Sequence, residues 1–111
     1  MNEEELKRMD FNTYVKFFNE GELIANISTL KTSYTAKKYN DLVLIIENIA
    51  LCKTYEEDEC HQYPEWYCRN IKLDDILALI ETKIHKKTEY VKVFSHEDMC
   101  SITNDYVFLL K

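Results

Sequence analysis

Apolar residues recur at helical spacing from the start of the chain. Leu6, Met9, Tyr14, Phe17 and Phe18 follow the three-and-four step of a helix that buries one face. They predict a first helix from Glu3 to about Asn19, capped by Asn2 with Glu5 reaching back, and stopped by Gly21 in a left-handed conformation. Leu23, Ile24, Ile27 and Leu30 continue the helical spacing and predict a short second helix. Their β-branched members also fit an extended segment. The densest apolar stretch comes next. Tyr39, Leu42, Val43, Ile46, Ile49 and Ala50 make one stripe, and Leu44 and Ile45 widen it. A helix over Ala36 to Thr54, started by Ser33 or Thr35 and enclosed by its neighbours, is the reading this width predicts. A further helix is expected over Leu73 to Lys86, with Leu73, Ile76, Leu77, Ile80 and Ile84 inward. Asp74 and Asp75 lie at its positive end and Lys86 and Lys87 at its negative end, as the helix dipole favours.

The period changes near the end of the chain. Tyr90, Lys92 and Phe94 alternate with Val91, Val93 and Ser95, the two-residue repeat of a strand. Ser95-His96-Glu97-Asp98 can cap one helical turn, and Asn104-Asp105 reads as a turn before Tyr106–Leu110. Two short antiparallel strands are expected, with a helix continued through Ile102 as the rival reading. Together these elements predict an α+β, mostly helical single domain over residues 1–111. Three to four helices pack with a small C-terminal β-hairpin, and an all-α bundle is the alternative.

Composition narrows the chemistry. The 111 residues include one glycine, Gly21, and one proline, Pro64. Loops that hold phosphate on bare backbone need clustered glycines, so dinucleotide and P-loop motifs are excluded. The N-terminus Met1-Asn2-Glu3-Glu4-Glu5-Leu6 is acidic, unlike a secretory leader. The longest strictly apolar run, Leu42–Ile46, is far shorter than the ~20 residues of a membrane span. A cytoplasmic protein is therefore expected, with Cys52, Cys60, Cys68 and Cys100 as reduced thiols.

With 20 acidic against 14 basic residues the formal net charge is −6, and its distribution is uneven. From Glu56 to Glu65 there are five acids and no Lys or Arg. Around that run lie Tyr55, Tyr63, Trp66 and Tyr67. Carboxylates steer a basic partner and aromatic rings supply large contact area at low entropic cost, so the segment reads as a recognition surface. Glu56, Glu57, Asp58, Glu59, Tyr63, Glu65, Trp66 and Tyr67 are its candidate partner-binding residues. A solvated loop followed by core aromatics is the plainer account of the same stretch.

Other constellations are weaker. Cys52, Cys60, His61 and Cys68 supply Cys₃His residue types, but without the closely spaced pair that preorganises a zinc tetrahedron. His85 stands four residues after Glu81, the spacing of a helical surface pair. Ser95, His96, Glu97 and Asp98 have triad residue types, yet sequence neighbours point apart. Lys83, Lys86, Lys87 and Lys92 with His85 form a basic cluster, interrupted by Glu81 and Glu89 on an anionic chain, which disfavours direct nucleic-acid binding. No catalytic residue, metal or cofactor is therefore assigned. The sequence suggests a small acidic cytosolic protein that neutralises a basic partner. That partner is a toxin or nuclease met by its cognate immunity protein, or a nucleic-acid-binding host factor met by a phage or viral inhibitor. A neutral helical interaction module and a small zinc-binding structural domain are the alternatives.

Overall fold

The computed structural model describes residues 2–51, 62–69 and 71–111. Its elements run α1 (Glu3–Lys7), α2 (Phe11–Glu20), β1 (Glu22–Ser28), β2 (Thr32–Tyr39), β3 (Val43–Leu51), α3 (Glu65–Cys68), α4 (Leu73–Ile84), β4 (Thr88–Glu97) and β5 (Ser101–Leu110). The strands form one sheet in the order β1-β2-β3-β5-β4, every neighbouring pair antiparallel. Ile76 and Ile80 of α4 pack on one face with Tyr34, Ala36, Leu44, Ile46, Phe108 and Leu110. On the other face Leu6, Met9, Tyr14 and Phe17 of the N-terminal segment pack with Val43, Ile45 and Val107. The architecture is helix–sheet–helix.

This overturns the mostly helical fold, and the all-α alternative with it. Of the expected central helix over Ala36 to Thr54, residues 36–51 are the end of β2, a turn and β3, and residues 52–54 lie outside the described residues. Val43, Leu44, Ile45 and Ile46 are each 0% exposed. In β3, Val43 and Ile45 meet the N-terminal helices while Leu44 and Ile46 meet α4. A strand covered on both faces is apolar at every position, so its sequence loses the two-residue signature. The reversal inside the supposed helix is made by Asn40, whose φ of 50° is a left-handed conformation that asparagine tolerates. Its side-chain oxygen accepts the N–H of Leu42 at 2.8 Å.

The expected second helix is β1, paired with β2 from Glu22↔Lys38 to Ser28↔Ser33. The first helix breaks at Arg8–Asp10. Asn2 caps α1 through Glu5 N–H, as expected, but Asp10 then caps α2 through Thr13 N–H at 2.8 Å. That bond holds the Asp10 carboxyl below the usual range. Gly21 is no left-handed stop, since its φ of −71° and ψ of 154° lead directly into a strand. The left-handed cap belongs to His85, at φ 58° after α4. Only α4 matches its expected helix closely, with Asp74 and Asp75 in its first turn.

At the C-terminus the expected antiparallel pair is present but is no small appendage. β4 and β5 are ten residues each, and β5 lies between β4 and β3. The rival helix through Ile102 is replaced by strand, as is the expected turn at Asn104-Asp105. Among the described residues no helix is long and apolar enough to cross a membrane.

Candidate functional site

Of the eight candidate partner-binding residues, Glu56, Glu57, Asp58 and Glu59 lie outside the described residues. Tyr63, Glu65, Trp66 and Tyr67 sit on the single turn of α3 and its approach. Pro64 opens the turn with its φ of −57°, already set for the first helical residues. Its carbonyl accepts the N–H of Tyr67 at 2.9 Å. The turn is tied to the body of the protein by its backbone, because Leu30 N–H donates to the Tyr67 carbonyl at 2.8 Å. Tyr67 is half-buried, whereas Trp66 is 61% and Tyr63 is 45% exposed. The Tyr67 ring lies 5.2 Å from that of Tyr63 and 5.7 Å, edge-on, from that of Trp66. Tyr67 thus props two outward-facing rings, and Glu65 is exposed beside them. The core reading of Trp66 does not hold. A bare indole of this size is costly in water and places apolar area where a partner can cover it.

Sequence reasoning missed a second constellation. Asp105, taken for a turn residue, is 1% exposed in the interior of β5. The Tyr14 hydroxyl donates to its Oδ1 at 2.8 Å, and His96 Nε2 stands 3.2 Å from its Oδ2. Across the sheet Asp105 is paired with Glu47. Burial, and then the Asp105 charge, push the Glu47 carboxyl above its usual range. Burial also raises the Tyr14 phenol, with its bond to Asp105 adding to the effect. That contact is a hydrogen bond to the Asp105 carboxylate when Nε2 carries the ring proton. The imidazole is half-exposed and Phe11 packs edge-on to it at 5.6 Å. An open groove of about 590 Å³ lined by Phe11, Val93, Phe94, Ser95 and His96 begins there. The acid partner of His96 is therefore Asp105, not the adjacent Glu97 or Asp98. Ser95 points the other way, its hydroxyl donating to Asn104 Oδ1 at 2.6 Å. Tyr106–Leu110 is an unbroken apolar run, so no alternation in the sequence marked the buried face that Asp105 shares with Val107.

Three lysines of the basic cluster are engaged with backbone carbonyls of the chain. Lys83 Nζ donates to the carbonyl of Ile24, Lys86 Nζ to that of Asp41, and Lys92 Nζ to those of Lys7 and Met9. Glu81 does not pair with His85; its Oε2 accepts from the backbone and hydroxyl of Thr88. Of the Cys₃His set, Cys52, Cys60 and His61 lie outside the described residues. No three His, Cys, Asp or Glu side chains among the described residues are grouped to hold a metal. None of the family models, curated proteins and solved structures compared with this chain matches it.

Proposed function

We propose that this chain is a small acidic binding protein that neutralises a basic protein partner through the segment from Glu56 to Tyr67. The partner class is one whose own surface is basic because it grips nucleic acid, such as a toxin nuclease or a nucleic-acid-binding factor. The observation that carries this reading is the exposure of Trp66 and Tyr63 beside the densest acidic run of the sequence. Exposed aromatics held on a tethered turn serve as anchors, because little side-chain entropy is lost when they are covered. The carboxylates of Glu56, Glu57, Asp58, Glu59 and Glu65 would stand in for phosphates and act chiefly on the association rate.

The test begins with recovery of the partner by affinity capture, followed by titration of purified components. Trp66→Ala is expected to weaken binding by about 2–4 kcal/mol, the range of an interface anchor. Replacing Glu56, Glu57, Asp58 and Glu59 together by Gln and Asn should slow association and flatten its dependence on salt. Unchanged affinity and salt slope in both variants would remove the segment from the interface.

A further inference from the structure

Both edges of the sheet are closed over part of their length, and the longer open stretch falls on β4. In an antiparallel strand alternate residues turn their N–H and C=O groups toward one neighbour and the rest turn theirs away. Lys87 and Lys111 exchange both backbone hydrogen bonds, and Asp98 N–H donates to the Ser101 carbonyl. Counting along β4 across the register shift between Tyr90 and Lys92, the residues whose backbone faces away from β5 are Thr88, Tyr90, Val93, Ser95 and Glu97. The first part of this edge is closed. Thr88 N–H donates to Glu81 Oε2 at 2.8 Å, the strand bulges at Val91, and Lys92 reaches over to the end of α1. The opposite edge is guarded at its start, leaving only the outward N–H groups of Asn26 and Ser28 without a hydrogen bond among the described residues. β1 bulges at Ile24, and the Ile24 carbonyl accepts from Lys83 Nζ at 2.7 Å. Such devices are how proteins keep strand edges from pairing. Val93, Ser95 and Glu97 have none, since no hydrogen bond to their outward N–H groups occurs among the described residues.

The same stretch is grooved. The 590 Å³ groove at Phe11, Val93, Phe94, Ser95 and His96 is followed by one of about 250 Å³ at Ser95, His96, Glu97 and Ile102. We propose that the edge from Val93 to Glu97 is a strand-addition site for an extended segment of a protein partner. That segment carries an apolar residue beside Val93 and a Lys or Arg beside Glu97. Backbone hydrogen bonds supply the binding in this mode, and alternate side chains supply the selectivity. Val93 and Ile102 are exposed apolar surface at the two ends of the stretch, while Glu97 and Asp98 make its far end acidic. A second copy of this chain fits poorly. The bulge at Val91 confines pairing to Val93–Glu97, and the only antiparallel self-register over that length sets Glu97 against Val93, between two molecules of net charge −6. The proposal concerns a different surface from the segment around Trp66 and does not depend on it.

A synthetic peptide, Thr-Lys-Val-Thr-Val-Val-Thr with blocked ends, is the probe, read by residue-resolved amide hydrogen exchange and titration on the whole chain. Exchange at Val93, Ser95 and Glu97 is expected to slow when the peptide is added. Peptides N-methylated at alternate residues should split by phase, one phase losing affinity about tenfold or more and the other binding normally. Glu97→Lys should weaken the peptide, and replacement of its Lys by Glu should restore binding to that variant. The variant leaves the strand ladder intact, and the methylated peptides need no variant at all. Absence of binding, binding without protection of those amides, or equal binding of both methylated phases would overturn the proposal. So would protection that rises with protein concentration in the absence of peptide, which would assign the edge to a second copy.

Discussion

Asp105 and Glu47 face each other across adjacent strands, and the protein answers their proximity with unlike environments. Asp105 is enclosed but supplied with a phenol and an imidazole as donors. Glu47 has no such donors among the described residues, and burial first and Asp105 second raise its carboxyl above the usual range. Folding therefore makes Glu47 bind its proton more tightly than the unfolded chain does. Its stabilising contribution is present below the unfolded-state pKa and is lost as pH rises through the raised folded-state value. Glu47→Gln should accordingly raise the melting temperature at neutral pH, with the gain fading below about pH 4 as the wild-type carboxyl becomes protonated in both states. Thermal melts of the two proteins at both pH values decide this, and an equal shift at each would mean the ionisation of Glu47 is immaterial. None of this was legible in the sequence. Asn104-Asp105 has the residue types of a turn, and the unbroken apolar run Tyr106–Leu110 behind it does not show which face Asp105 takes.

β3 shows at the scale of an element why an apolar run is ambiguous. Four consecutive enclosed residues wrap fully around a helix, which then needs neighbours on all sides, whereas in a strand they divide between two layers. Here the layers are α4 on one side and α1 with α2 on the other. Ile46 packs in the first layer and Ile45 in the second. Ile45→Ala and Ile46→Ala should each cost about 2–5 kcal/mol in denaturant unfolding, since each leaves a cavity in a separate core. Near-wild-type stability of either variant would mean that one of the two layers is loosely packed. Their combined cost should be close to additive because the sheet separates them. The amphipathic α4, covered on one face only, kept its helical period and its charged ends, and for that reason its sequence could be read directly.

At the scale of the whole molecule, the last strand enters the middle of the sheet. β5 pairs with β3 from Val43↔Leu109 to Leu51↔Ser101, so the centre closes only when chain segments far apart in sequence have met. The other three pairings join strands consecutive in sequence, and mixed topologies of this kind fold on the order of milliseconds. Stopped-flow refolding should therefore show a main phase in that range, and completion within microseconds would contradict the topology. The charge is also global in effect. With net charge −6, the surface as a whole carries an excess of carboxylates. That favours the basic partner proposed for both the Trp66 segment and the β4 edge.

By itself the sequence determined the local chemistry: the cap at Asn2, the acidic first turn of α4, the strand period near Tyr90, and the clustering of acids and aromatics between Glu56 and Tyr67. These are set by neighbours within a few residues, so pattern and propensity reveal them. Tertiary structure alone decided that Glu22–Ser28 and Val43–Leu51 are strands, that Asp105 is buried, and which stretches of strand edge are left open. Each of those outcomes depends on what covers a segment from elsewhere in the chain. A run enclosed on both faces carries no period of its own, and the two layers that enclose β3 come from residues 3–20 and 73–84.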